Sequence, residues 1–583
     1  MIRDRLLWLL LLLILTPTTW AGIDVRIRGL GSQERDNAYA QLALLNYAKD
    51  ADRRHEADDP RDVQRLFEQG ESDIRKALQP YGWYDPIIHS TLSGKAPDWL
   101  AQYEVEAGPA TTITVVDVVI EGEGRDDAAI VKVRDRQPLR VGERLQHARY
   151  ETAKQQLLQA AQAEGYLDAA FNRHELRVDV SNRSAQLLLT LDTGPRYWFG
   201  SVAIIQDTNL HDEVLRRYVT IKPGQPFKSS EVLATQFALT DLDYFRSVEV
   251  EPQKDKADAR HQVPVEIHLK AKPPREYRFG LGYGTDTGVR GLASVDFRRI
   301  NDEGHKLHLE LRPSQKISSA LAEYSIPVGT RPGDTLSFNT QGLQQDVESI
   351  DEHVYSVGTR YSQLFPNWQQ SDYLSYTRDE FAFTREPETI SRLLIPGVSV
   401  SRTDLDDAID PHKGWYGFMD LHGATQAVLS DSTFVQGLVR LKTVLPLGSS
   451  TRLFLRGEEG VSFVSEFSQF PASQRFFAGG DESVRGYAYK SLGPVDSYGN
   501  VIGGKYLTTG SIELDQDVYH HYGIAVFTDA GGADDALKVQ LHEGAGLGLR
   551  YRAPFGSIDI DLAHPFDAGL SPVRLHVSVR VGL

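Results

Sequence analysis

Arg485 lies in a glycine-rich stretch, Gly479-Gly480-Asp481-Glu482-Ser483-Val484-Arg485-Gly486-Tyr487, between segments that read as β-strands. Gly479, Gly480 and Gly486 permit tight or left-handed backbone, and Val484 and Tyr487 supply apolar anchors, which together can hold the arginine at one point inside a cavity. Its guanidinium is always charged and presents a planar fork of donors, so a buried setting requires a carboxylate partner. Two carboxylates stand downstream among alternating apolar residues: Glu513 in Gly510-Ser511-Ile512-Glu513-Leu514, and Asp529 in Val526-Phe527-Thr528-Asp529-Ala530-Gly531. Arg485 is expected to pair with Asp529, with Glu513, or with both. The chemistry is that of an electrostatic clamp.

Other constellations carry less. There is no Gly-x-Ser-x-Gly elbow, phosphate loop or His-Glu-x-x-His, so an enzyme is not expected, and no catalytic residue or cofactor is assigned. Asp404, Asp406, Asp407 and Asp410 form an acidic cluster, but it lacks the central glycine and terminal glutamate of an EF-hand loop. With Pro411-His412-Lys413-Gly414 it reads better as a turn. His520-His521 has no third ligand at a recognisable spacing and the chain has no cysteine, so no metal is expected.

The elements that must position the arginine follow in chain order. The formal charge is −17 with no long basic tract, which argues against sequence-independent nucleic-acid binding. Arg3 and Arg5 precede the apolar run 6–15, and small-residue cleavage character follows at Pro17, Thr19 and Ala21, so 1–21 reads as a secretory signal peptide. Removing its net +1 leaves −18. The run is about half of the roughly 20 residues a membrane-spanning helix needs, and no later stretch is long enough. The mature chain is therefore periplasmic, secreted, or an outer-membrane barrel, because barrel strands escape hydropathy scales.

From residue 22 to 274 one unit recurs three times, as strand, helices, strand, strand, with boundaries at 22–111, 112–195 and 196–274. In the middle copy 113–121 is β-rich, and Tyr150, Ala153, Leu157 and Ala161 share one helical face. Gly165-Tyr166 then ends the helix, and two strands flank the turn Ser181-Asn182-Arg183-Ser184. The same landmark is Tyr81-Gly82-Trp83-Tyr84 in the first copy and Leu242-Asp243-Tyr244-Phe245 in the third. From 275 to 583 the segments alternate as in an all-β transmembrane barrel, and an assumed ~19 residues per strand and connection would divide them into about sixteen antiparallel strands, each needing roughly 9–11 residues to cross. The first strand sets Tyr277, Phe279, Leu281 and Tyr283 against Gly280, Gly282 and Gly284. The last alternates Leu575, Val577, Val579, Val581 and Leu583 with polar residues or glycine, which suits lipid on one side and water on the other.

The arginine block, followed in order by Gly-Ser-Ile-Glu at 510–513 and Phe-Thr-Asp-Ala-Gly at 527–531, resembles the outer-membrane assembly-factor superfamily that includes BamA, TamA and the two-partner-secretion translocators. The resemblance covers most of the mature chain. It implies that the arginine loop is a lid folded back into a sixteen-stranded barrel and clamped to acidic residues of late strands. It also implies that the repeats are POTRA domains, β-α-α-β-β modules whose open sheet edge accepts an extended client. Three copies match the TamA branch, since BamA has five and the translocators two.

By that resemblance the protein sits in the outer membrane, surrounded by its lipid, with the N-terminal domains in the periplasm. It inserts autotransporters and other outer-membrane barrel clients and docks a TamB-like inner-membrane-anchored partner. The expected lateral gate is the seam between the first strand (Tyr277, Phe279, Gly280, Gly282, Tyr283) and the last. Leu583 departs from the aromatic residue on which such barrels usually finish. The rivals are a translocator exporting one exoprotein, a passive porin or receptor that leaves repeats and lid unexplained, and a structural tether that leaves the lid idle.

Overall fold

The computed structural model describes residues 22–54, 59–96, 98–329, 331–407, 410–553, 556–567 and 573–580. The expected leader at 1–21 and the last-strand residues Val581 and Leu583 lie outside them. The chain forms two compact units whose division runs through the third repeat: one holds the chain up to Ser201 with Lys222–Glu231 and Pro252–Val265, the other Val202–Ile221, Val232–Glu251 and Glu266–Leu583.

The first repeat contains β1 (Ile23–Arg28), α1 (Ser32–Gln41), α2 (Ala43–Arg54), α3 (Pro60–Leu78), β2 (Ile87–Lys95) and β3 (Asp98–Glu106). Three helices stand where two were expected. Leu42 is extended rather than helical and fully buries its side chain, while the buried carboxylate of Asp73 accepts the Ala43 N–H at 3.1 Å and caps the start of α2. The second repeat contains β4 (Thr112–Glu121), α4 (Ala128–Arg136), α5 (His147–Ala163), β5 (Ala170–Asp179) and β6 (Ser184–Asp192). On α5 the buried residues are Tyr150, Ala153, Leu157 and Ala161, the face set by the periodicity. The third repeat contains β7 (Trp198–Gln206), α6 (Asp212–Arg216), α7 (Ser229–Thr240), β8 (Phe245–Pro252) and β9 (Gln262–Ala271).

Each repeat has a three-stranded sheet with its last strand in the middle, in the orders β1-β3-β2, β4-β6-β5 and β7-β9-β8. The first and second strands of every repeat are therefore edges. The turn after the last helix reverses at positive φ in all three copies, at Gly82 (85°), Gly165 (95°) and Asp243 (60°). Glycine takes that conformation freely, and aspartate is among the few other residues that visit it routinely.

Asp168 lies where the second repeat meets the sequence of the third. It pairs with Lys254 Nζ at 2.7 Å and accepts from Tyr197 Oη at 2.7 Å. The Lys254 and Tyr197 hydrogen bonds hold its carboxyl below the usual carboxylate range. A carboxyl depressed in the fold stabilises it above the unfolded value, about 4, and that contribution disappears as pH falls through the folded value. Asp168→Asn is expected to lower the melting temperature at neutral pH and to converge with wild type as the pH is taken below the carboxylate range. Circular-dichroism melting across that range checks this, and parallel curves would refute the linkage.

Sixteen further strands, β10 (Arg275–Gly284) to β25 (Arg574–Arg580), form one sheet in sequence order. Along β10, Tyr277, Phe279, Leu281 and Tyr283 are exposed on the lipid side, while Gly280, Gly282 and Gly284 turn inward. On β25 Leu575 is exposed and His576 buried. The strand period of two puts apolar side chains toward lipid and polar ones toward the lumen. Among the described residues no helix is long and apolar enough to cross a membrane.

Candidate functional site

Residues 465–505 connect β20 (Thr451–Val464) to β21 (Tyr506–Tyr519), and short bridges such as Phe476 to Gly504 and Ala478 to Leu492 hold this loop together. Near its middle Arg485 is 2% exposed. Its Nε and Nη2 donate to the two carboxylate oxygens of Asp529 at 2.7 and 2.9 Å, and its backbone N–H reaches the same carboxylate at 3.0 Å. Nη1 donates to Glu513 at 2.6 Å and to Asp561 at 3.0 Å. The guanidinium carbon stands 3.4 Å from the centre of the Phe527 ring. Both sequence candidates thus meet the arginine.

Register explains the convergence. Asp529 and Phe527 are on β22 (Tyr522–Asp534), opposite Ser511 and Glu513 of β21, and Asp561 is on β24 (Gly556–Pro565). Between them β23 (His542–Ala553) contributes Arg550, which donates to Glu513 at 2.8 Å and to Asp561 at 2.5 Å. Space for these groups comes from absent side chains on β23: a Cβ on Gly544 would lie 2.3 Å from the Arg485 carbonyl oxygen, and one on Gly548 2.2 Å from Asp561 Oδ1. Two arginines and three carboxylates therefore form one buried network, whose members are costly to remove singly.

The sequence alone does not single out Asp561 and Arg550. Their signal was the charge recurring at every second position, Asp559 and Asp561 on β24 and Arg550 and Arg552 on β23, but alternation identifies a face and not a partner. Arg475, which no sequence motif singles out, pins the neck of the loop through main-chain carbonyls, with no carboxylate paired to it among the described residues. It donates to the carbonyls of Phe470, Ile502 and Phe467 at 2.8, 3.0 and 3.2 Å and faces the Phe467 and Phe383 rings. Val484 is fully buried, Tyr487 Oη donates to the Glu543 carbonyl at 3.4 Å, and Gly479, Gly480 and Gly486 have φ of 97°, 103° and 100°.

The acidic cluster serves a turn. Asp406 accepts from the N–H groups of His412 and Lys413 at 2.9 and 3.0 Å, Asp404 pairs with Arg402, and Asp410 accepts from Arg452 at 2.5 Å. His520, at φ 45°, lies between β21 and β22 with its ring against Tyr519.

At the seam, no ladder joins β10 to β25 among the described residues. Arg290 on β11 (Gly288–Phe297) stands opposite Gly282 and donates across the seam to the Val579 carbonyl at 2.9 Å. A Cβ on Gly282 would lie 3.2 Å from Arg290 Nε, so the glycine clears the path of the guanidinium. Val577 N–H donates to Thr285 Oγ1 at 3.4 Å.

This barrel, preceded by repeats of the POTRA topology and filled by an arginine-anchored loop, defines a class: an outer-membrane β-barrel protein with N-terminal periplasmic POTRA domains, whose barrel carries the Omp85 superfamily domain. Residues 285–572 match the Omp85 superfamily domain, 24–107 the POTRA domain TamA domain 1, and 197–272 the POTRA model described as a surface antigen variable number repeat. The chain is similar to the outer membrane protein assembly factor BamA of Nitratidesulfovibrio vulgaris, 24% identical over 399 residues, which are 64% of this chain and 49% of that protein. With BamA of Neisseria meningitidis serogroup B it is 20% identical over 422 residues, 65% of this chain and 52% of that protein. The chain thus spans about half the length of the curated relatives it matches. Its fold is similar to that of BamA from Haemophilus ducreyi lacking POTRA domains 1–3, with a TM-score of 0.64 and 17% identity over 81% of this chain and 99% of that one.

Proposed function

We propose that the protein is a TamA-type assembly factor that inserts autotransporters and other barrel proteins into the outer membrane through a laterally opening seam. The observation that carries this is the pairing of an unladdered seam with a buried, clamped lid in one barrel. A sheet edge without a ladder offers unpaired backbone groups to an incoming strand, and in lipid those groups must find a partner. The three-stranded sheets of the repeats have free edges that grip an extended client, and a TamB-like inner-membrane-anchored protein docks on their side. The match of residues 24–107 to the first POTRA domain of TamA supports this branch. The work is binding and strand exchange, with no catalytic residue, cofactor or metal.

In-cell photocrosslinking tests it, with probes at Gly282 in the first strand and at Tyr487 beside the clamp. Capture of strand ends of nascent barrel proteins at Gly282 is the expected result. Capture of one exported protein near Tyr487, with nothing at Gly282, would make the chain a secretion pore.

A further inference from the structure

Lid and seam share one small cluster of side chains. Asp286 lies in the turn between β10 and β11, His576 on β25, and Asp481 in the lid loop. Asp481 donates its backbone N–H to Asp286 Oδ2 at 2.9 Å, and its carboxylate contacts His576 Nδ1. Gly486 N–H donates to His576 Nε2 at 2.9 Å. Asp286 is 7% exposed and His576 2%. The lid backbone is shaped for this approach, because a Cβ on Gly480 would lie 2.7 Å from Asp286 Oδ2.

The donor pattern says what the cluster does. An amide that donates to Nε2 leaves the ring proton on Nδ1, and Nδ1–H then donates to Asp481. Ligand atoms of Asp286, Asp481 and His576 lie within 4.8 Å of one another, yet neither imidazole nitrogen keeps a lone pair for a metal. The cluster is a joint between three chain segments. One partner in each bond is in the lid, and the other is on one or the other side of the seam.

We propose that the lid loop is the latch of the seam: Asp481 and Gly486 hold β25 and the β10–β11 turn together, and the seam opens when Asp481 leaves His576. Gly486 follows Arg485 directly, so the clamp on β21, β22 and β24 fixes where the latch sits. Moving the lid and parting the strands become one event. This rests on the lateral opening proposed above and adds what controls it.

The absence of cysteine makes the test clean. Nitroxide labels are placed on cysteines at Tyr283 and Leu575, lipid-facing positions of the two edge strands, in the full chain in lipid nanodiscs. Electron-electron distances are measured with and without a urea-unfolded autotransporter barrel domain as client. Asp481→Ala is expected to raise the ratio of open to closed distances about tenfold without client, the size of effect that follows from losing a hydrogen bond to a charged group. His576→Ala should raise it at least as much, because it also removes the Gly486 bond, and the double variant no more than His576→Ala alone, because the Asp481–His576 contact is already lost there. Asp481 lies outside the barrel wall, so its variant stays informative if His576→Ala fails to fold. If client widens the wild-type seam while Asp481→Ala leaves the client-free distances unchanged, or if the two substitutions add, the latch is refuted and lateral opening stands. If neither client nor substitution moves the distances, lateral opening itself fails, and the latch with it.

Discussion

Arg485→Ala is expected to abolish client assembly while the barrel still folds in the membrane. The substitution removes both prongs of the fork on Asp529, which is fully buried, and one donor each from Glu513 and Asp561. Removing one side of a buried ion pair costs about 3–5 kcal/mol because the remaining charge is left uncompensated. Here Arg550 still neutralises Glu513 and Asp561, so the cost concentrates on Asp529 and is relieved when the loop leaves the wall. The sixteen-stranded ladder does not depend on the loop for its hydrogen bonds. Lid and wall should therefore separate while the wall persists. Heat-modifiable gel migration reports the folded barrel, protease cleavage within 477–487 reports the released lid, and insertion of an autotransporter reports activity. Arg485→Lys keeps the charge and loses the planar fork, so it should fall between wild type and alanine. If the alanine variant yields no folded barrel, the clamp is purely structural.

A disulfide across the seam is expected to stop client insertion reversibly. A Cβ at Gly284 would lie 4.0 Å from the Val577 carbonyl oxygen, and Ser578 is the next side chain on the inward face of β25, so cysteines at 284 and 578 are the natural pair. No other cysteine competes. Oxidised protein should retain barrel migration and lose activity, and reductant should restore it. Full activity of the oxidised form would sink lateral opening, whatever the lid does. The two experiments separate the parts: the first releases the lid with the seam free, and the second fixes the seam with the lid in place.

Much of the architecture could be read from sequence because it depends on local periodicity. Helical spacing at Tyr150, Ala153, Leu157 and Ala161 identified the buried face of α5, and strict alternation in β10 separated lipid-facing aromatics from lumenal glycines. The third helix of the first repeat is not legible in the sequence, because the break at Leu42 depends on burial and on a cap that Asp73 places on Ala43, thirty residues before it. Arg485, Glu513 and Asp529 could be singled out because a guanidinium among glycines needs carboxylates and two stand on neighbouring strands.

What the sequence by itself determined is which residues face the lumen and that one arginine among them needs an anionic partner. Tertiary structure alone decided which lumenal charges meet. Asp561 is 76 residues from Arg485, His576 is 95 from Asp481, and Asp286 is 195 from it. The physical reason is that alternation fixes a side chain's direction, whereas its neighbours depend on the register of sixteen strands and on the path of a loop across their interior.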